Sequence, residues 1–212
     1  MKVLLTLLLF FSTLFSAGYH AEISPITPEV KKRMIRGNSW REGCPVSLQD
    51  LRYLRLVYRD FNGRDANGEM IVHKAVASEV AEIFKTLYER GYPIRKIRLV
   101  SDYKGSDWQS IEADNTSAFN CRNATGSKKW SKHSYGKAID LNPIENPYIS
   151  RSGHIAHKSS LKYRKRERQK NLHPNNRAIL LKNDAVVRLF KAYGWKWGGD
   201  WHGVKDYQHF EK

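Results

Sequence analysis

Apolar residues recur at helical spacing in two stretches. Between Lys74 and Arg90, Val76, Val80, Ile83, Phe84 and Leu87 form one stripe, which predicts an amphipathic helix stopped by Gly91. Between Asp184 and Tyr193, Val186, Val187, Leu189 and Phe190 predict a second helix, capped by Gly194. Elsewhere the period shortens. Glu69 to His73 reads as a strand, and Asn62-Gly63 and Asn67-Gly68 before it read as the long polar tip of a hairpin. Ile94 to Val100 reads as a strand with Ile97 and Leu99 on one face and Lys96 and Arg98 on the other. Lys137 to Leu141 reads as a short strand with Ala138 and Asp140 on one face. Val46 to Phe61 starts at helical spacing and turns strand-like at Leu54, and periodicity does not decide between the two. Residues 101–130 read as a long polar loop, of the kind that often carries function.

The start of the chain has a different pattern. Met1-Lys2, an almost unbroken apolar run from Val3 to Phe15, and Ser16-Ala17-Gly18 read as a secretory signal peptide over 1–18, cleaved after Ala17 or Gly18. The run is short for a membrane span, and an uncleaved N-terminal anchor is the alternative. The expected location is therefore periplasmic or secreted, with no transmembrane anchor after processing. Residues 19–43, broken by Pro25 and Pro28 with a short helix over Glu29 to Met34, read as a leader. Residues 44–212 read as one domain, a length that supports a real core. Export gives meaning to Cys44 and Cys121, the two cysteines of the chain. An oxidising compartment permits a bridge between them, worth roughly 3–4 kcal/mol, and two free buried thiols are the alternative.

The net charge of +16 favours an acidic partner without choosing one. No helix-turn-helix pattern, paired C-x-x-C or aromatic-basic RNA motif is present, so nucleic acid is not the expected partner. The charge is densest over Lys158 to Lys170. That segment reads first as a solvated basic face and second as a contact for an anionic wall polymer.

Candidate chemistry lies in two stretches. Ser131-Lys132-His133-Ser134-Tyr135-Gly136-Lys137-Ala138-Ile139-Asp140 and Asp206-Tyr207-Gln208-His209-Phe210-Glu211 together offer two imidazoles and several carboxylates. A catalytic zinc site needs three protein ligands, an open position and a nearby base. His133, Asp140 and His209 can supply the ligands and Asp206 the base. Positions 206 and 209 would face opposite ways on a flat strand, so a turn, bulge or twist is expected there. Taken singly, each half reads first as a buried hydrogen-bonded His or a capping Asp.

The two stretches together, with Gly194-Trp195, Trp197-Gly198-Gly199 and Trp201 between them, resemble the zinc D-Ala-D-Ala carboxypeptidases. These are the VanY-type metallopeptidases, which include L-Ala-D-Glu endopeptidases. The resemblance runs from about Cys44 to Glu211, and Asp114 to Arg122 is similar to the substrate-side loop of an exported branch. It implies a small α+β fold of the hedgehog/DD-peptidase kind: an antiparallel sheet with helices packed on it and Zn2+ in an open groove. It implies His133, Asp140 and His209 as metal ligands, Asp206 as catalytic base and Ser131 as a substrate contact. Family members use an arginine to polarise the scissile carbonyl, and many carry it just after the preceding strand. Ser101-Asp102-Tyr103-Lys104 holds none here, so Arg122 is the substitute. His202, four residues before Asp206, is a further candidate for the cleft. The implied substrate is the peptidoglycan stem peptide, cut as a D,D-carboxypeptidase. An L-Ala-D-Glu type endopeptidase and a non-catalytic zinc-containing wall-binding module are the rival readings.

Overall fold

The computed structural model describes residues 18–168 and 173–212; the signal-peptide reading of 1–17 and the end of the 158–170 segment lie outside the described residues. The fold is α+β, with small antiparallel sheets and several helices.

The first sheet is built at the N-terminal end. Strands β1 (Ala21–Pro25), β2 (Leu51–Arg59) and β3 (Asp65–His73) pair in the order β1-β2-β3, all antiparallel. Between β1 and β2 lies helix α1 (Pro28–Arg36). Pro28 presets its first turn, and the Thr27 hydroxyl accepts from Val30 N at 3.3 Å. Residues 19–43 thus contribute a strand and a helix to the sheet layer, with Val30 and Met34 buried.

Sheet pairing decides the ambiguous stretch after Val46. Leu48–Asp50 is one 3-10 turn, and the chain from Leu51 is a strand bonded on both edges. Leu54, Leu56 and Tyr58 enter the core at a period of two. The expected long hairpin tip shrinks, because Asn67-Gly68 lies within β3 opposite Val57 and Leu56. Gly68 is there for space: a Cβ on it would stand 2.8 Å from the Cβ of Ile97.

Helix α2 (Ala77–Glu89) packs its apolar stripe on this sheet, with Val80, Ile83, Phe84 and Leu87 buried, and Gly91 at φ +60° ends it. The stretch from Ile94 to Val100 forms no ladder strand, and Val100 already opens a 3-10 turn. The stretch holds one parallel bridge, Ile97 to Thr116, and accepts from Glu69 N at 3.2 Å. Its faces are as expected, with Ile97 and Leu99 buried. The polar stretch 101–130 is not all loop either. Helix α3 (Asp107–Glu112) lies in it, capped by Ser106 Oγ accepting from Gln109 N at 3.2 Å.

The C-terminal half supplies the second sheet, in which β4 (Ala138–Asp140), β8 (His209–Glu211) and β6 (Lys196–Trp197) run antiparallel in the order β4-β8-β6. Strands β5 (Tyr148–Ile149) and β7 (Lys205–Asp206) form a separate pair. Helix α4 (Pro174–Ala178) is short, and α5 (Ala185–Ala192) buries Val186, Val187 and Phe190. Phe190 stacks on Phe210 of β8 at 3.9 Å, and both belong to the cluster formed by β2, β3 and α2, so one core supports both sheets.

Cys44 and Cys121 are bonded, with 5.9 Å between their Cα atoms. Among the described residues no helix is long and apolar enough to cross a membrane.

Most of the described part of the 158–170 segment is solvated as expected, with Lys158, Lys162, Arg164, Lys165 and Arg168 exposed, the last paired with Asp184. Arg166 is the exception: it is half-buried and donates to Asn146 and to Leu180 O.

Candidate metal centre

His133 sits on a one-turn 3-10 helix, Lys132–Tyr135. The Ser131 hydroxyl caps that turn by accepting from His133 N at 3.3 Å. Gly136 ends it at φ +65°, lying so close to β3 that a Cβ would stand 2.6 Å from His73 N. A side chain there meets both backbone strain and backbone atoms, so glycine fixes how the His133 turn rests on the first sheet.

Asp140 and His209 are direct partners across the β4–β8 ladder. Paired residues project from the same face, and Asp140 Oδ1 lies 3.0 Å from His209 Nδ1. His133 Nε2 completes the group, 3.2 Å from His209 Nδ1 and 3.2 Å from Asp140 Oδ2. All three residues are buried, and they form a set that can hold a metal ion. Donors about 2.0–2.1 Å from a tetrahedral ion stand about 3.4 Å apart, close to these separations.

The far side of each imidazole fits the same purpose. His133 Nδ1 faces the carbonyl of Ala118, which can only accept, so the proton is on Nδ1 and the lone pair on Nε2 points at the cluster. His209 Nε2 lies 3.3 Å from Glu211 Oε2, which leaves Nδ1 as the nitrogen turned inward. Imidazole ligands are commonly oriented in this way by an acceptor on their other nitrogen.

The local charges agree. Burial alone would raise the Asp140 carboxyl, but His133 and His209 outweigh it and hold Asp140 well below the usual carboxylate range. Burial likewise opposes charge on His209, yet its bonds to Asp140 and Glu211 push it up to about 10 in the metal-free chain. Glu211 is two residues along the strand from His209, on the same face.

Asp206 ends β7, and the Tyr207-Gln208 bend before β8 supplies the expected turn between 206 and 209. Gly198 makes room for it, since a Cβ there would stand 2.4 Å from Asp206 O. Burial pushes the Asp206 carboxyl up to about 7; His209 opposes the shift, and Asp140 and Asp107 reinforce it. Its Oδ1 is enclosed without a hydrogen-bond partner among the described residues.

His133, Asp140, Asp206, His209, Ser131 and Arg122 all line one cleft of about 660 Å³. The Arg122 guanidinium is tied to Asp107 at 2.9 Å, and its backbone N donates to Ser134 Oγ at 2.9 Å. The Ser131 hydroxyl faces the same cleft while capping the His133 turn. His202 does not join them. It is exposed and lines a separate depression with Trp195 and Lys196, because the chain turns away between Trp201 and Lys205.

Sequence reasoning missed part of the cleft wall. The Trp108 and His157 rings pack at a tilt with centroids 4.0 Å apart, and His157 Nδ1 lies 2.6 Å from Glu112 Oε1. Tyr148 and Trp130 also line the cleft. Glu211 was legible from its i+2 spacing to His209. The Ala118 carbonyl and the Trp108–His157 pair carry no sequence signal, because long-range folding brings them in.

No solved structure matches the chain. Residues 125–212, the stretch that carries His133, Asp140, Asp206 and His209, match the family model described as D-alanyl-D-alanine carboxypeptidase, which bears out the family that the motifs resemble.

Proposed function

We propose that this chain is an exported zinc peptidase that hydrolyses peptidoglycan stem peptides as a D,D-carboxypeptidase, on a hedgehog/DD-peptidase-like scaffold whose cleft is the substrate groove. The observation that carries the reading is the convergence of three buried side chains, each turning a ligating atom inward, beside the unpartnered oxygen of Asp206.

His133 Nε2, Asp140 and His209 Nδ1 would hold the ion. Zinc bound there supplies a Lewis acid that activates water and polarises a carbonyl oxygen. Asp206 takes the proton of the attacking water and delivers it to the leaving amine, the task for which a carboxyl raised toward neutrality is suited. Arg122, held in place by Asp107, donates to the carbonyl oxygen as negative charge grows on it. Ser131, at the edge of the same turn as His133, contacts the peptide backbone. A periplasmic or extracellular location is supported by the Cys44–Cys121 bridge.

Digestion of purified stem peptides and muropeptides by zinc-loaded protein, with mass spectrometry of the products, tests this. Loss of one terminal D-Ala, abolished by chelation and by Asp206→Ala, is the expected result. A cut inside the stem replaces the specificity with that of an endopeptidase. Bound zinc with no cleavage of any of these substrates overturns the peptidase reading in favour of a binding module.

A further inference from the structure

Arg166 lies in the most basic stretch of the chain, yet its guanidinium points inward. Its backbone adopts φ +51°, unusual for a non-glycine residue. Nη2 donates to Asn146 Oδ1 at 2.7 Å and to Leu180 O at 2.8 Å, and Nη1 donates to the Glu145 carbonyl. The guanidinium carbon stands 4.3 Å from the centroid of the Tyr207 ring. Among the described residues no carboxylate pairs with Arg166, and its Nε has no hydrogen-bond partner. A half-buried cation held only by neutral oxygens and a ring face is costly. Its geometric advantage is a planar fork that fixes several groups at once.

The groups it fixes lead to both halves of the metal centre. Asn146 Nδ2 donates to Leu141 O and to Asn142 O, both at 3.1 Å, and these residues directly follow Asp140. Tyr207 stands between Asp206 and His209. Its backbone is held at both ends, by Pro147 O accepting from its N at 3.3 Å and by Trp197 Nε1 donating to its O at 2.9 Å. One guanidinium therefore touches the side chain that orders the exit from β4 and the ring at the β7–β8 bend.

We propose that Arg166 is a positioning residue for the metal centre: it clamps Asn146 and Tyr207 together and so holds Asp140 in place against His209 and Asp206. The inference rests on the reading of His133, Asp140 and His209 as ligands. It also removes Arg166 from any polyanion-binding face.

The test compares wild type, Arg166→Met, Arg166→Lys and Tyr207→Leu as purified proteins. Zinc affinity is measured by competition with a chromophoric chelator, the ligand field by the absorption spectrum of the cobalt-loaded protein, and stability by thermal unfolding. For Arg166→Met the expected result is zinc binding about 10–100-fold weaker, with an altered cobalt spectrum. In stem-peptide assays the loss is expected in kcat, with KM within about twofold of wild type. Arg166→Lys keeps the charge without the fork and recovers only part of the affinity. A less stable Arg166→Met protein with wild-type zinc affinity and cobalt spectrum overturns the proposal, since a merely structural role predicts that outcome. If Arg166→Met does not fold, Tyr207→Leu decides: at least about threefold weaker zinc binding supports the clamp, and unchanged binding overturns it. A wild type that binds zinc but cleaves no stem peptide counts against the peptidase reading alone, and one that binds no zinc overturns both.

Discussion

His133 and His209 face each other through unlike ring atoms, with Nε2 of the first 3.2 Å from Nδ1 of the second. The asymmetry follows from what stands behind each ring: a main-chain carbonyl at His133 and the Glu211 carboxylate at His209. Glu211 is expected to strengthen metal binding without touching the ion. Glu211→Ala is expected to lower zinc affinity about 10-fold or more, and His209→Ala to abolish stoichiometric binding. Chelator competition measures both. In unfolding experiments, zinc at about 100 times its Kd is expected to add about 2.7 kcal/mol to the wild type and nothing to His209→Ala.

On the proposed mechanism, Asp206 sets the acid limb of the activity. A base must be ionised to work, and burial places this carboxyl at about 7 in the metal-free chain. A nearby divalent cation favours the ionised form and moves the value down. The kcat/KM profile is therefore expected to rise with pH through a midpoint at or below about 7 and to level off above it. Asp206→Asn is expected to lose about 10²–10⁴-fold in kcat while keeping its zinc. A variant that retains more than a tenth of wild-type kcat counts against this role.

A second pair of carboxyls governs stability instead. Burial raises both Asp114 and Glu145, and Glu145 rises to about 8 because Asp114 lies beside it. Glu145 Oε1 accepts from Tyr163 OH and Asn175 Nδ2, while Oε2 has no other partner, as a proton shared with Asp114 requires. The folded state therefore binds more protons than the unfolded state between about 4.5 and about 8. The contribution is fully present below that window and is lost as pH rises through it. Glu145→Gln keeps a donor toward Asp114 without titrating. Its stability relative to wild type is expected to improve with pH across the window, by up to about 1.4 kcal/mol per unit. Denaturant titrations at several pH values measure this, and parallel curves for the two proteins would refute it.

The bridge between Cys44 and Cys121 spans 77 residues. A loop of that length predicts a loss of about 4 kcal/mol when both cysteines become alanine. Urea unfolding of the double variant checks the figure. A loss under about 1 kcal/mol would show that the unfolded chain is little constrained by the bridge.

The helices at 77–89 and 185–192 were legible because each carries an unbroken stripe and a glycine stop. The cluster of His133, Asp140 and His209 was legible because its spacing is local within two motifs, and the β4–β8 register sets Asp140 beside His209. Leu51–Arg59 was ambiguous because two flanking strands, not its own periodicity, make it a strand. Asn67-Gly68 misled because its glycine answers a steric demand from Ile97, 29 residues on. Arg166 was read as solvated because composition cannot tell an inward guanidinium from an outward one. His202 was misplaced by proximity in sequence to Asp206.

The carbonyl that selects the His133 tautomer belongs to Ala118, and the backbone partner of Asp140 on its other side is Ser117. Both precede residue 125, where the family match begins, and Gly136 rests on β3 earlier still. The stretch that names the chemistry is therefore not a portable cassette. Grafted elsewhere, it would carry every ligand and leave behind the surfaces that aim them.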